Sequence, residues 1–261
     1  MGKITNALKR AAEDRLNRID KITRVKEREQ LVVKKIGESK IDPSIVTYFD
    51  QKALISEQYK ILRTNILSIN KTKPIKSLVI TSSLHSEGKT VTALNLAFSL
   101  AQAVHKPKVL LVDADMRRGR VGRYLGVPPR AGLSEFLAGE CSQEEVCFHL
   151  DYDNLTFIAA GTVPENPAEL LASERMRNLL LSMRSQFDHV LIDTPPIIPV
   201  TDSGILGSQT DGILMIIQAG RTQRGIIRRA EELISQTQSK IVGHVLTNIE
   251  YHLPEYIYRY L

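Results

Sequence analysis

Tryptophan is absent from these 261 residues, aromatic residues make up only 5% of them, and there are just two cysteines, Cys141 and Cys147. So few cysteines exclude a disulfide-stapled scaffold. With five residues between them and only His149 close by, they suggest no zinc site, and both are read as reduced structural residues. No apolar run approaches the ~18 residues of a membrane helix. The opening "MGKITNALKRAAED" lacks the apolar stretch of a secretory leader, so a cytoplasmic protein is expected. Hydrophobic residues are 43% and charged residues 25%, a balance that fits one large core with a smaller appendage.

Neither sign of charge is in excess outside the first forty positions. Residues 1–40 hold twelve Lys and Arg against six Asp and Glu, a surplus equal to the whole-chain net charge of +6. A neutral main domain argues against a broad phosphate-binding face, and no nucleic acid partner is expected. Within residues 4–22, Ile4, Leu8, Ala12, Leu16, Ile19 and Ile22 recur at helical spacing with basic residues around them. Such a helix suits docking on a partner or an anionic membrane, and equally folding back on the domain. Residues 24–50 read as a charged linker ending in an extended stretch around "IDPSIVTYFD". A helix is expected from Lys52 to Ile69, with apolar positions at Leu54, Ile55, Ile61, Leu62, Ile66 and Leu67. The chain thus divides into an extension (1–50), a main domain (51–250) and a tail (251–261).

From residue 77 the pattern changes to short β-branched runs: "SLVITSS", "VLLVDAD", "LTFIAAG", "HVLIDTPP", "GILMIIQAG" and "IVGHVLTNI". Near-continuous apolar strands alternating with helical periods predict an α/β fold, a parallel sheet with helices on both faces, whose ligands sit at the carboxyl ends of the strands. The first run enters "SSLHSEGKT", where Ser83 stands at the first glycine of the general phosphate loop and Gly88, Lys89 and Thr90 complete it. Backbone N–H groups over Ser86, Glu87, Gly88, Lys89, Thr90 and Val91 would surround phosphates. Lys89 would add a point charge, and the Thr90 hydroxyl would ligate Mg²⁺. Two other strands end in carboxylates, Asp113 and Asp115 on one and Asp193 on the next. One carboxylate can position a metal while another accepts a proton from an incoming hydroxyl.

Four of the eight tyrosines, Tyr251, Tyr256, Tyr258 and Tyr260, fall in the last eleven positions, "YHLPEYIYRYL". Taken alone, this segment reads as a short aromatic strand or an apolar plug.

"SSLHSEGKT", "VLLVDADMRR" and "VLIDTPP" resemble the Walker A, Walker A′ and Walker B motifs of the bacterial tyrosine kinases of capsule and exopolysaccharide systems. "SEQYKILRTNIL" is similar to that family's E-x-x-R-x-x-R helix, "GTVPENPAELLAS" to its G-x-x-P-x-N-P-x-E-L-L segment, and the tail to its tyrosine cluster. The resemblance spans most of residues 44–261. It implies a P-loop NTPase-type fold of the MinD/ParA kind behind an N-terminal helical extension, with ATP and Mg²⁺ as cofactors and protein tyrosine as acceptor. It also implies Lys89, Asp113 and Asp115 as catalytic residues, Asp113 being the tyrosine base, and Thr90, Asp115 and Asp193 as metal ligands. By the same resemblance Tyr251, Tyr256, Tyr258 and Tyr260 are autophosphorylation sites presented to neighbours in a homo-oligomer, through contacts by Glu57, Lys60 and Arg63. The implied partners are a membrane polysaccharide co-polymerase, which activates the kinase and recruits it to the inner face of the plasma membrane, and a protein-tyrosine phosphatase. Three positions depart from the pattern: His85 and Ser86 stand where Pro and Gly are common, and Lys60 replaces the first Arg of the helix motif. The rival readings are a MinD/ParA-like ATPase switch, which typically carries an additional lysine early in the loop, and an ATP-binding assembly scaffold without kinase activity.

Overall fold

The computed structural model describes residues 36–69, 74–150 and 154–249, together with Gln30, Val32 and Lys34. The basic helix expected over residues 4–22 and the tyrosine tail lie outside the described residues.

The six apolar runs all become strands: β1 (Ser77–Ser82), β2 (Val109–Asp113), β4 (Leu155–Ile158), β5 (His189–Asp193), β6 (Gly212–Gln218) and β7 (Ile241–Thr247). A seventh, β3 (Cys147–His149), joins them in a sheet of order β3-β4-β2-β5-β1-β6-β7, parallel except where β3 runs against β4. Alternation along each strand sends side chains to opposite faces. Val79, Leu110, Val112, Ile192 and Met215 enter one core, beneath helices Glu174–Gln186 and Arg224–Gln236. Leu78, Ile80, Leu111, Leu191 and Ile216 enter the other, beneath helix Lys89–Ala101. Both faces are therefore buried, which explains why the central strands are apolar at nearly every position rather than at alternate ones.

One expectation requires correction. Residues 41–50 do not form an extended linker end; they make a tight turn and a short helix, Val46–Phe49, packed on helix Lys89–Ala101. Asp42 starts the turn, accepting from the Ser44 backbone N–H at 2.9 Å and from its hydroxyl at 2.7 Å. Asn95 then clamps the segment, accepting from the Thr47 N–H at 3.0 Å and donating to the Ser44 carbonyl at 3.0 Å, while Ile45 is wholly buried. A buried side chain that satisfies two backbone groups of the incoming segment makes it part of the domain.

The predicted helix over 52–69 is present as Leu54–Ser68, but its apolar positions do not mainly face inward. Leu54, Ile55, Ile61 and Leu67 are exposed, Leu62 is partly buried against the core, and only Ile66 among them is buried.

The order of the sheet positions the site. The chain leaves β1 in the centre, reaches β2 across β5, and later returns to β6 on the other side of β1. The carboxyl ends of β1, β5 and β2 thus lie side by side at a switch point, where such folds hold ligands.

Candidate active site

At the end of β1 the loop over residues 83–88 takes two left-handed turns, with φ of 65° at Ser86 and 92° at Gly88, before helix Lys89–Ala101 begins. For Ser86 that conformation costs on the order of 1 kcal/mol, which the surrounding structure must impose. Glu87 is the strut that imposes it. Its buried carboxylate accepts from the Leu84 N–H at 2.6 Å and from the Thr222 hydroxyl, and Thr247 donates to its carbonyl at 2.8 Å. The Glu87 side chain therefore faces inward, whereas Ser86, Gly88, Lys89, Thr90 and Val91 line a pocket of about 260 Å³ above the helix start.

The three aspartates converge on this loop. Asp113 and Asp193 are register partners on β2 and β5. Lys89 Nζ lies 3.5 Å from Asp115 Oδ2, and the Thr90 hydroxyl donates to Asp193 Oδ2 at 2.7 Å. Asp193 Oδ1 is buried and has no partner among the described residues. Asp113 accepts from the Val121 N–H at 2.9 Å and from the Asp115 N–H at 3.2 Å.

Burial dominates the electrostatics of these groups. It pushes the Asp113 carboxyl up to about 8, helped by the neighbouring Asp193 charge and opposed by the Val121 N–H. Burial likewise raises Asp193 to about 6 against the opposing pull of Lys89 and the Thr90 hydroxyl. A protein that keeps two carboxylates costly to ionise at one spot has placed them where a cation or a reacting proton can use them.

Asp115 lines the phosphate-loop pocket but Asp113 does not. Asp113 instead borders a second groove of about 900 Å³, walled by residues 127–131, Phe157 and residues 159–162. The arrangement separates a polar cradle with a lysine on one side from the buried Asp113 carboxyl on the other. That is the division a transfer from a phosphate donor to a hydroxyl acceptor needs.

A family model described as an AAA domain matches residues 75–242. Tyrosine-protein kinase YwqD of Bacillus subtilis is 35% identical over 216 residues, which covers 83% of this chain and 90% of YwqD. This chain belongs to the bacterial tyrosine kinase family. The solved structures of family members agree. The chimerical protein CapA2B2 superposes with a TM-score of 0.76 at 30% identity, covering 81% of this chain and 93% of that one. The kinase domain of the Escherichia coli tyrosine kinase ETK superposes with a TM-score of 0.69 at 31% identity, covering 76% and 78%.

Glu57, Lys60 and Arg63, on the helix that carries the family's E-x-x-R-x-x-R pattern, also make contacts within the chain. Lys60 Nζ pairs with Glu57 at 2.7 Å and donates to the Gln51 carbonyl at 2.8 Å, both within the chain. Arg63 turns inward and donates to the Ser99 carbonyl near the end of helix Lys89–Ala101. Leu54, Ile55, Ile61 and Leu67 of the same helix are exposed.

Four pocket residues were not assigned a role from the family pattern: His85, Arg118, Arg120 and Tyr124. The arginines at 117, 118 and 120, shortly after Asp115, are the sequence signal for two of them.

Proposed function

We propose that this chain transfers the γ-phosphoryl group of ATP to protein tyrosine, and that the acceptors are Tyr251, Tyr256, Tyr258 and Tyr260 of a neighbouring copy. The observation that carries this reading is the pairing of Lys89 and Thr90 with Asp115 and Asp193 on one side of Asp113, with the second groove open on its other side. In it, Lys89 and the backbone of residues 86–91 hold the phosphates, and Asp113 takes the phenolic proton in its ionised form, whose fraction grows as pH rises through about 8.

The donor set suits magnesium. Thr90 Oγ1, Asp115 and the unpartnered Asp193 Oδ1 are oxygen ligands. Magnesium takes few protein oxygens and completes its shell with water and substrate phosphates. When bound there, Mg²⁺ would offset charge on the transferring phosphates.

The exposed apolar face of helix Leu54–Ser68 supports assembly into a homo-oligomer, with Glu57, Lys60 and Arg63 near the contact. No described helix is long and apolar enough to cross a membrane. The proposed activator is a membrane polysaccharide co-polymerase, recruiting the kinase to the membrane's inner face and coupling it to capsule or exopolysaccharide synthesis and export; a protein-tyrosine phosphatase reverses the modification.

The fate of the γ-phosphoryl group separates this reading from an ATPase switch. With γ-labelled ATP, label should appear on tyrosine of an Asp113→Asn chain with its tail intact when that chain is mixed with active, tail-deleted protein. Label released only as free phosphate, with no tyrosine modified in either chain, means a switch rather than a kinase.

A further inference from the structure

Three arginines follow Asp115 within five positions, and the structure uses them differently. Arg117 is committed to the fold: its Nε donates to the buried Asp202 Oδ2 at 3.0 Å and its Nη2 to Oδ1 at 3.3 Å. Arg118 and Arg120 are exposed, make no salt bridge or side-chain hydrogen bond among the described residues, and line the phosphate pocket beside Lys89. An arginine held only for solubility has no reason to face that pocket.

The backbone that presents them is fixed. The Arg118 N–H donates to both the carbonyl and Oδ1 of Asp115, at 3.0 and 3.1 Å. Between the two arginines, a Cβ on Gly119 would stand 2.4 Å from Ala160 Cβ and 3.1 Å from Asp113 Oδ2. Only glycine passes so close, so both arginines spring from a turn wedged between Asp113 and Ala160. His85, across the pocket, has its pKa lowered by burial first and then by the charges of Arg118 and Lys89, which places the Arg118 guanidinium near the loop.

Among the described residues that line this pocket, Lys89 is the one other lysine or arginine. Ser83, Leu84, His85, Ser86 and Glu87 include no lysine or arginine, and Lys89 already shares its charge with Asp115. We propose that Arg118 and Arg120 act from within the same chain as the guanidinium pair that stabilises charge on the γ-phosphoryl group as it transfers. This rests on the kinase reading above. In the step, the bond from the γ-phosphorus to the β–γ bridging oxygen breaks as the tyrosine oxygen bonds to that phosphorus. The phenolic proton passes to Asp113 and ADP departs. Guanidinium N–H groups match the non-bridging oxygens in a way a single ammonium cannot.

The test uses the full chain with Arg118→Ala, Arg120→Ala, the double variant and the corresponding Lys variants. It measures binding of fluorescent ADP and ATP analogues, the single-turnover transfer rate at saturating ATP, and thermal melting. Each Ala variant should lose about tenfold in rate and the double about 100-fold or more, with Lys recovering part. ADP affinity should stay within about threefold and melting should not change, because neither side chain holds the fold together. An unchanged rate in the double variant overturns the proposal. So does an equal loss of ADP and ATP affinity with the rate intact, which would make the arginines an electrostatic guide only. If wild type binds ATP but labels no tyrosine, the kinase reading is what fails. The arginines are then judged on single-turnover ATP hydrolysis by the same criteria.

Discussion

Lys89→Met should reduce tyrosine phosphorylation by about 10³-fold or more, the scale seen when a principal charge-stabilising group is removed from a phosphoryl or acyl transfer site. The Lys89 side chain is 12% exposed and is the one cation at the start of the helix, 3.5 Å from Asp115. Methionine has a similar length, so the fold should survive while the positive charge facing the phosphates disappears. Asp115 would also lose the cation beside it, weakening the metal site a second time. Circular dichroism should match wild type, while binding of a fluorescent ATP analogue should drop at least tenfold. Wild-type activity in this variant would remove the site assignment.

Asp193→Asn should move stability and function in opposite directions. Burial holds this carboxyl at about 6, above its value in an unfolded chain, so between those values the folded state keeps a proton that the unfolded state has lost. Stability therefore falls as pH rises from about 4 through 6, and at pH 8 the wild-type protein without ligand carries a penalty on the order of 3 kcal/mol. The amide has no such penalty, and the Thr90 hydroxyl keeps an oxygen to donate to. The variant should melt higher than wild type at pH 8 and nearly level with it at pH 4. It should also lose the metal-dependent gain that nucleotide confers on wild type, about 2.7 kcal/mol at a ligand concentration 100 times Kd. A variant that melts lower at pH 8, or that keeps the full Mg²⁺-dependent gain, contradicts this account of Asp193. Sites that hold charge ready for a ligand are destabilised without it, and Asp193 with its unpartnered Oδ1 is such a position.

What the sequence made legible was whatever has a long repeat or a fixed order. The runs that became β1, β2, β4, β5, β6 and β7 were readable because burial on both faces demands apolar residues at almost every position. Lys89, Thr90, Asp115 and Asp193 were readable because a strand, a loop and a helix order them around one point. β3 was not: three residues, Cys147–His149, carry no period, and only the antiparallel partner β4 makes them a strand. Residues 41–50 misled because a residue before proline favours extended backbone, whereas here Asp42 and Asn95 fold the segment onto the domain. The inward turn of Glu87 depends on Thr222 and Thr247, more than 130 positions away. The separation of Asp113 from the phosphate pocket is equally a property of packing, set by the turn through Gly119.

The central claim, that this site phosphorylates the tyrosines of the tail, is tested most directly by mapping phosphotyrosine by mass spectrometry. The chain should be isolated from its own host, in wild-type form and with Lys89→Met. Phosphate on Tyr251, Tyr256, Tyr258 and Tyr260 in wild type, and its absence from the variant, is the result predicted. Tail tyrosines that are unmodified in wild type, or equally modified in both proteins, would contradict it.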